Sequence, residues 1–124
     1  MAKKILLVED QPDIRRLIRM TLEFENYDIT EAATAAEGAQ LFTDLQPDLL
    51  LLDVMTPGGM DGLELCRKVR SHHDDLYRPA IVMLTARGQQ QDIDAGIAVG
   101  ADAYLVKPFS PLQLLDTVSG MLAT

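Results

Sequence analysis

Leu49-Leu50-Leu51-Leu52-Asp53 is the stretch whose reading decides the fold. Leucine is a modest strand former, so residue preference alone leaves a helix open. The run is short, however, with Pro47 before it and Pro57-Gly58-Gly59 soon after it. Length and flanking turn residues therefore select a strand covered on both faces. It ends in a carboxylate, and that end becomes the focus of the chemistry.

Working outward, the same pattern recurs. Lys4-Ile5-Leu6-Leu7-Val8 is a second continuous run, read as the first strand. Pro12 then opens a helix, where its missing N–H costs nothing, and Ile14, Leu17, Ile18 and Leu22 give it one apolar stripe. Tyr27 to Ala32 alternates apolar and polar residues, as a strand near the sheet edge does. Thr34-Ala35-Ala36-Glu37 has capping-box spacing and starts a helix through Phe42 and Leu45 that Pro47 stops.

Beyond Asp53, Asp61 caps a third helix through Leu63, Cys66 and Val69. Ala80 to Thr85 is a fourth strand, and a weaker helix follows over 90–99 with Ile93 and Ile97 as its clearest apolar contacts. Ala103 to Val106 is a fifth strand. Ser110 and Pro111 start a last helix with Leu115, Val118 and Leu122 facing inward. Five strands alternating with five helices predict an α/β fold with a parallel sheet covered on both faces. Right-handed crossovers leave few topologies, and the doubly wound five-stranded order 2-1-3-4-5 is expected, a three-layer sandwich.

Composition narrows the function classes. At 124 residues, 1–124 is read as one domain, and 48% apolar content is that of a globular chain. No apolar run approaches the roughly eighteen residues of a membrane span, and Met1-Ala2-Lys3-Lys4 leads into too short a run for a signal peptide. A cytoplasmic location is expected. Eleven basic against 19 acidic residues give a net charge of −8, which argues against direct nucleic-acid binding. The lone Cys66 falls within a helical apolar pattern and is read as a small core residue.

In a doubly wound sheet, ligands bind outside the carboxyl ends of the strands. Strand 1 delivers Glu9 and Asp10 there, strand 3 Asp53, strand 4 Thr85 and strand 5 Lys107. Strands 1 and 3 are neighbours in the expected order, so three carboxylates should converge. Left uncompensated they repel, and a hard divalent cation with oxygen ligands resolves this. Mg²⁺ fits best, because it takes one or two carboxylates, keeps waters and shares a phosphate oxygen.

Leu7-Val8-Glu9-Asp10, the Asp53–Gly62 segment, Met83-Leu84-Thr85-Ala86, Gly100-Ala101-Asp102 and Lys107-Pro108-Phe109 together resemble the receiver domain of two-component response regulators, from Lys3 to about Leu122. The resemblance implies a flavodoxin-like, CheY-like fold. It implies that Asp53 is the phosphoacceptor, taking a phosphoryl group from a histidine kinase or a histidine phosphotransfer protein. Glu9, Asp10, Asp53 and the backbone carbonyl of Met55 would hold Mg²⁺. Lys107 and Thr85 would each contact a phosphoryl oxygen, Tyr104 would be the aromatic switch that turns inward, and the small Ala86 would leave the phosphoryl group accessible. A cis peptide would join Lys107 and Pro108. The output would be a changed surface for a downstream protein, with no nucleic-acid or membrane partner.

Two departures from the family pattern stand out. Pro57 and Met60 are separated by Gly58 and Gly59, where the family usually has one residue. Receivers joined to winged-helix transcription factors usually carry an acid before the switch tyrosine and an arginine in the last helix, pairing between subunits. Ala103 and Thr117 stand there instead, so a monomer or weak dimer is expected. Rival readings fare worse. A flavodoxin-like FMN carrier wants a neutral loop after strand 1, and Glu9-Asp10-Gln11-Pro12-Asp13 has the wrong charge. A Mg²⁺-dependent phosphatase with an Asp nucleophile has a general acid two residues on, where this chain has Met55. A receiver that only binds proteins is not recommended, since all five key positions are filled. His72-His73 and Asp75 read as a solvated connection, Asp92 and Asp94 as surface, Asp102 as a turn residue, and Met20, Met83 and Met121 as core.

Overall fold

A computed structural model describes residues 2–56, 58–71, 77–86 and 90–122. Pro57, His72, His73 and Asp75 lie outside the described residues. The elements run β1 (Lys4–Val8), α1 (Pro12–Glu23), β2 (Asp28–Ala32), α2 (Ala35–Leu45), β3 (Leu49–Asp53), α3 (Gly62–Ser71), β4 (Ala80–Ala86), α4 (Gln90–Ala98), β5 (Ala103–Lys107) and α5 (Pro111–Leu122). All four strand pairings are parallel, and the order is β2-β1-β3-β4-β5, as the sequence pattern predicts.

Alternation along the strands sorts the core into two layers. Leu6, Val8, Leu50, Leu52, Ile81 and Met83 face one side and pack with Phe42 of α2 and Leu65, Cys66 and Val69 of α3. Ile5, Leu7, Leu49, Leu51, Val82 and Leu84 face the other and pack with Ile18 and Leu22 of α1 and Leu114 and Val118 of α5. The four leucines of β3 are fully buried because their strand is covered on both faces. Each such side chain contributes about 1.5–3 kcal/mol.

The helix starts follow local chemistry. Thr34 accepts a hydrogen bond from the Glu37 amide at 3.1 Å, and Glu37 reaches back to the Ala33 amide at 3.0 Å. Asp61 accepts from Glu64 N at 2.9 Å and Ser110 Oγ from Gln113 N at 3.1 Å. These satisfy backbone donors that a helix start leaves without internal partners.

Several inward-facing assignments need correction. Leu17 is 46% exposed, at the margin of the α1 stripe, which Ile18 and Leu22 carry instead. Met20 and Met121 are surface residues, while Met83 is core. Ile97 is exposed, and Gly96 is the buried residue of α4; a Cβ there would lie 3.0 Å from Met83 Cγ, so the missing side chain lets α4 approach β4. Leu114 rather than Leu115 is the fully buried contact at the start of α5, with Leu115 packed at the edge of the same cluster.

Candidate functional site

Strand register aligns the candidate site side chains. Val8 pairs with Leu52, so Glu9 comes level with Asp53 one step further along. Asp53 pairs with Leu84, which sets Thr85 just beyond it, and Ala86 pairs with Lys107. Glu9, Asp10, Asp53, Thr85 and Lys107 are therefore gathered at one rim of the sheet. Ligand atoms from Glu9, Asp10 and Asp53 all lie within 4.8 Å of one another, a cluster able to hold a metal ion.

The cluster is held from several sides. Lys107 Nζ donates to Asp53 Oδ2 at 3.0 Å and forms an ion pair with Glu9 Oε1 at 2.6 Å. Asp53 Oδ1 accepts from Met55 N at 3.1 Å, and Glu9 Oε2 from Gln11 N at 3.3 Å. Behind Asp53, Gly62 packs so tightly that a Cβ would sit 2.2 Å from the Asp53 carbonyl oxygen. Arg15, which the sequence reading passed over, donates to the Glu9 carbonyl at 2.8 Å.

Burial and charge set the electrostatics of the site. Glu9 is fully buried. Burial raises its carboxyl to about 7, and Asp53 adds to the rise against the opposing pull of Lys107. Burial alone would lower the Lys107 ammonium, but Glu9 and Asp53 outweigh it and the net shift is upward. Three carboxylates meet one ammonium here, so a divalent cation fits the charge and the all-oxygen donor set. Thr85 Oγ1 is buried with no hydrogen-bond partner among the described residues, which is costly unless an incoming acceptor satisfies it.

Tyr104 is 45% exposed, and Ala86 is exposed and paired in register with Lys107. Met55 is 70% exposed, and a Cβ at Gly58 or Gly59 would meet no atom of the described residues within 4 Å. The Lys107–Pro108 peptide is cis. Asp102 is more than a turn residue: it accepts from Ile81 N at 2.9 Å and pairs with Arg70 and Arg78 at the opposite pole of the sheet. Asp94 is exposed and Asp92 partly buried. Next to the acidic cluster, a groove of about 360 Å³ is lined by Ile14, Leu17, Ala86, Lys107, Pro108 and Phe109.

Comparison with known proteins places this geometry. A family model for the response regulator receiver domain matches residues 5–119. The transcriptional regulatory protein ResD of Bacillus subtilis is 44% identical over 119 residues, 96% of this chain and 48% of ResD. The phosphate regulon regulator PhoB of Pseudomonas aeruginosa is 39% identical over 120 residues, 97% of this chain and 52% of PhoB. This chain thus spans about half the length of the curated relatives it matches. Among solved structures, the chemotaxis response regulator CheY4 of Vibrio cholerae superimposes with a TM-score of 0.88 at 32% identity, covering 98% of this chain and 99% of that one. The receiver domain of NtrX from Brucella abortus gives 0.87 at 30% identity, covering 97% and 98%. The flavin-carrier and phosphatase readings are not favoured by these matches. From its sequence relatives and its superposition on solved receivers alike, the chain belongs to the response regulator receiver domain family.

Proposed function

We propose that the chain, over residues 1–124, is a phosphoacceptor receiver: Asp53 takes a phosphoryl group from a phosphohistidine and the new charge alters the surface presented to a downstream protein. The observation that carries this reading is the convergence of Glu9, Asp10 and Asp53 on one point, with Lys107 bonded to Asp53 and the buried Thr85 hydroxyl left without a partner among the described residues.

The chemistry is in-line transfer, in which the protein positions groups and neutralises charge. An Asp53 carboxylate oxygen attacks phosphorus, the bond from phosphorus to the donor imidazole nitrogen breaks, and that nitrogen takes up a proton. Nucleophile and phosphoryl group are both anionic, so Lys107 lowers their repulsion and can follow the phosphoryl oxygens as they arrive. Mg²⁺, held by Glu9, Asp10, Asp53 and the Met55 carbonyl, would neutralise phosphoryl charge when bound. Thr85 satisfies a phosphoryl oxygen and Ala86 leaves room beside it. The added charge favours an inward Tyr104 through Thr85.

The donor is a histidine kinase or histidine phosphotransfer protein. The chain turns over no outside substrate; it catalyses only its own phosphorylation and dephosphorylation. It works in the cytoplasm, without direct nucleic-acid or membrane contact, as a monomer or weak dimer. The test is intact-mass spectrometry after incubation with acetyl phosphate. Mg²⁺-dependent addition of one phosphoryl group is expected, abolished by chelation and by Asp53→Asn. Equal labelling of Asp53→Asn would refute the assignment.

A further inference from the structure

We propose that Arg15 is a positioning residue for the cation site, locking the backbone that presents Glu9 and Asp10. This rests on the reading of Glu9, Asp10 and Asp53 as ligands of a divalent cation. Arg15 touches none of those carboxylates in a hydrogen bond. Its guanidinium donates instead to the backbone carbonyl of Glu9 at 2.8 Å and, from Nε, to Glu31 Oε1 at 3.2 Å. Glu31 is on β2, paired in register with Leu7, and its second carboxylate oxygen is bound by Arg19, which also pairs with Glu23 at 3.2 Å.

The consequence is that β2 grips the Glu9 peptide twice. It does so directly, because the Glu9 amide donates to Ala32 O at 3.1 Å, and again through Glu31 and Arg15 on the carbonyl side. With Gln11 N on Glu9 Oε2 as well, both peptide groups flanking Glu9 and one of its carboxylate oxygens are restrained. The turn that follows carries Asp10, and the two acids must converge on Asp53 from this one corner. Arg15 is three-quarters buried and its forked donors span carbonyl and carboxylate together, which an ammonium cannot do with the same geometry.

The sign of the effect separates positioning from charge. Arg15 is a cation near an acidic site, so through-space repulsion alone predicts that its removal tightens Mg²⁺ binding. Positioning predicts the reverse, because losing a group that orients metal ligands typically weakens affinity at least tenfold.

The experiment is Mg²⁺ titration by calorimetry on the unphosphorylated protein, wild type against Arg15→Ala, with circular dichroism and thermal melts to establish folding. Arg15→Ala is expected to bind Mg²⁺ roughly tenfold more weakly. Phosphorylation by acetyl phosphate should then need more Mg²⁺ for half-maximal rate but reach the wild-type rate at saturation. Glu31→Gln should weaken binding in the wild-type background and add nothing in Arg15→Ala, the mark of residues acting in series. Arg15→Lys, which keeps the charge, should also weaken it and serves if Arg15→Ala fails to fold. Unchanged or tighter binding in the folded Arg15 variants would overturn the proposal while leaving the phosphoacceptor reading intact. Failure of the wild type itself to bind Mg²⁺ would overturn both.

Discussion

Glu9 shows how much of this site is decided by single residues placed against their own preference. A fully buried carboxyl raised to about 7 holds its proton more tightly folded than unfolded. Its contribution to stability is therefore greatest below its ordinary value of 4.5 and is lost as pH rises toward 7. In metal-free protein, urea melts should show stability falling across that window, and Glu9→Gln, which cannot ionise, should flatten the decline. Mg²⁺ affinity should rise over the same range, since the cation competes with the proton. Gly62 sets a steric limit of the same kind. Gly62→Ala drives a methyl into the Asp53 carbonyl and should cost about 1–3 kcal/mol by thermal melt, with phosphorylation slowed because the nucleophile's backbone shifts. The sequence exposes Glu9, Asp10, Asp53, Thr85 and Lys107 because each follows an apolar run. Hydropathy leaves the tight roles of Arg15 and Gly62 unmarked, since Glu31, one of the two partners of Arg15, is 16 positions away and a missing side chain carries no polarity signal.

Among the elements, the strands are the most legible, because a doubly covered strand is apolar at every position and leaves nothing to assign. Helices are harder. Leu114 and Leu115 are adjacent and equally apolar, yet they differ by about 100° around the helix, and hydropathy alone cannot choose which one points inward. Met20 and Ile97 mislead for the same reason. Long-range ties are also silent in sequence: Arg70 donates to the Pro79 carbonyl at 2.7 Å and the Gly100 carbonyl at 2.8 Å and pairs with Asp102, joining α3, the start of β4 and the turn before β5. Arg70→Met leaves those acceptors without their partner and should destabilise the fold by about 2–3 kcal/mol. Tyr77 offers a milder case. Its hydroxyl donates to the Pro47 carbonyl at 2.6 Å, and burial raises its pKa well above the usual tyrosine value. Tyr77→Phe should cost about 1 kcal/mol in urea melts, with the sheet intact.

For the molecule as a whole, the parallel sheet explains why one rim gathers the candidate site while the opposite pole carries a structural network of Arg70, Arg78 and Asp102. All five candidate site side chains leave their strands at the same end, so on the proposed reading a charge added at Asp53 would be felt across the β4–β5 side where Thr85 and Tyr104 lie. Ala103 and Thr117 supply no charges there for pairing between subunits. Sedimentation with Mg²⁺ and the phosphoryl mimic beryllofluoride should accordingly give no ion-paired dimer; a salt-sensitive dimer would contradict that. The most direct test of the central claim is to locate the acquired phosphoryl group. After phosphorylation with Mg²⁺ present, borohydride reduces an acyl phosphate to the corresponding alcohol, and peptide mass mapping then reads homoserine at position 53. Homoserine at position 53 alone is the result expected; modification elsewhere, or an unaltered aspartate at 53 in protein that has gained a phosphoryl group, would contradict the account.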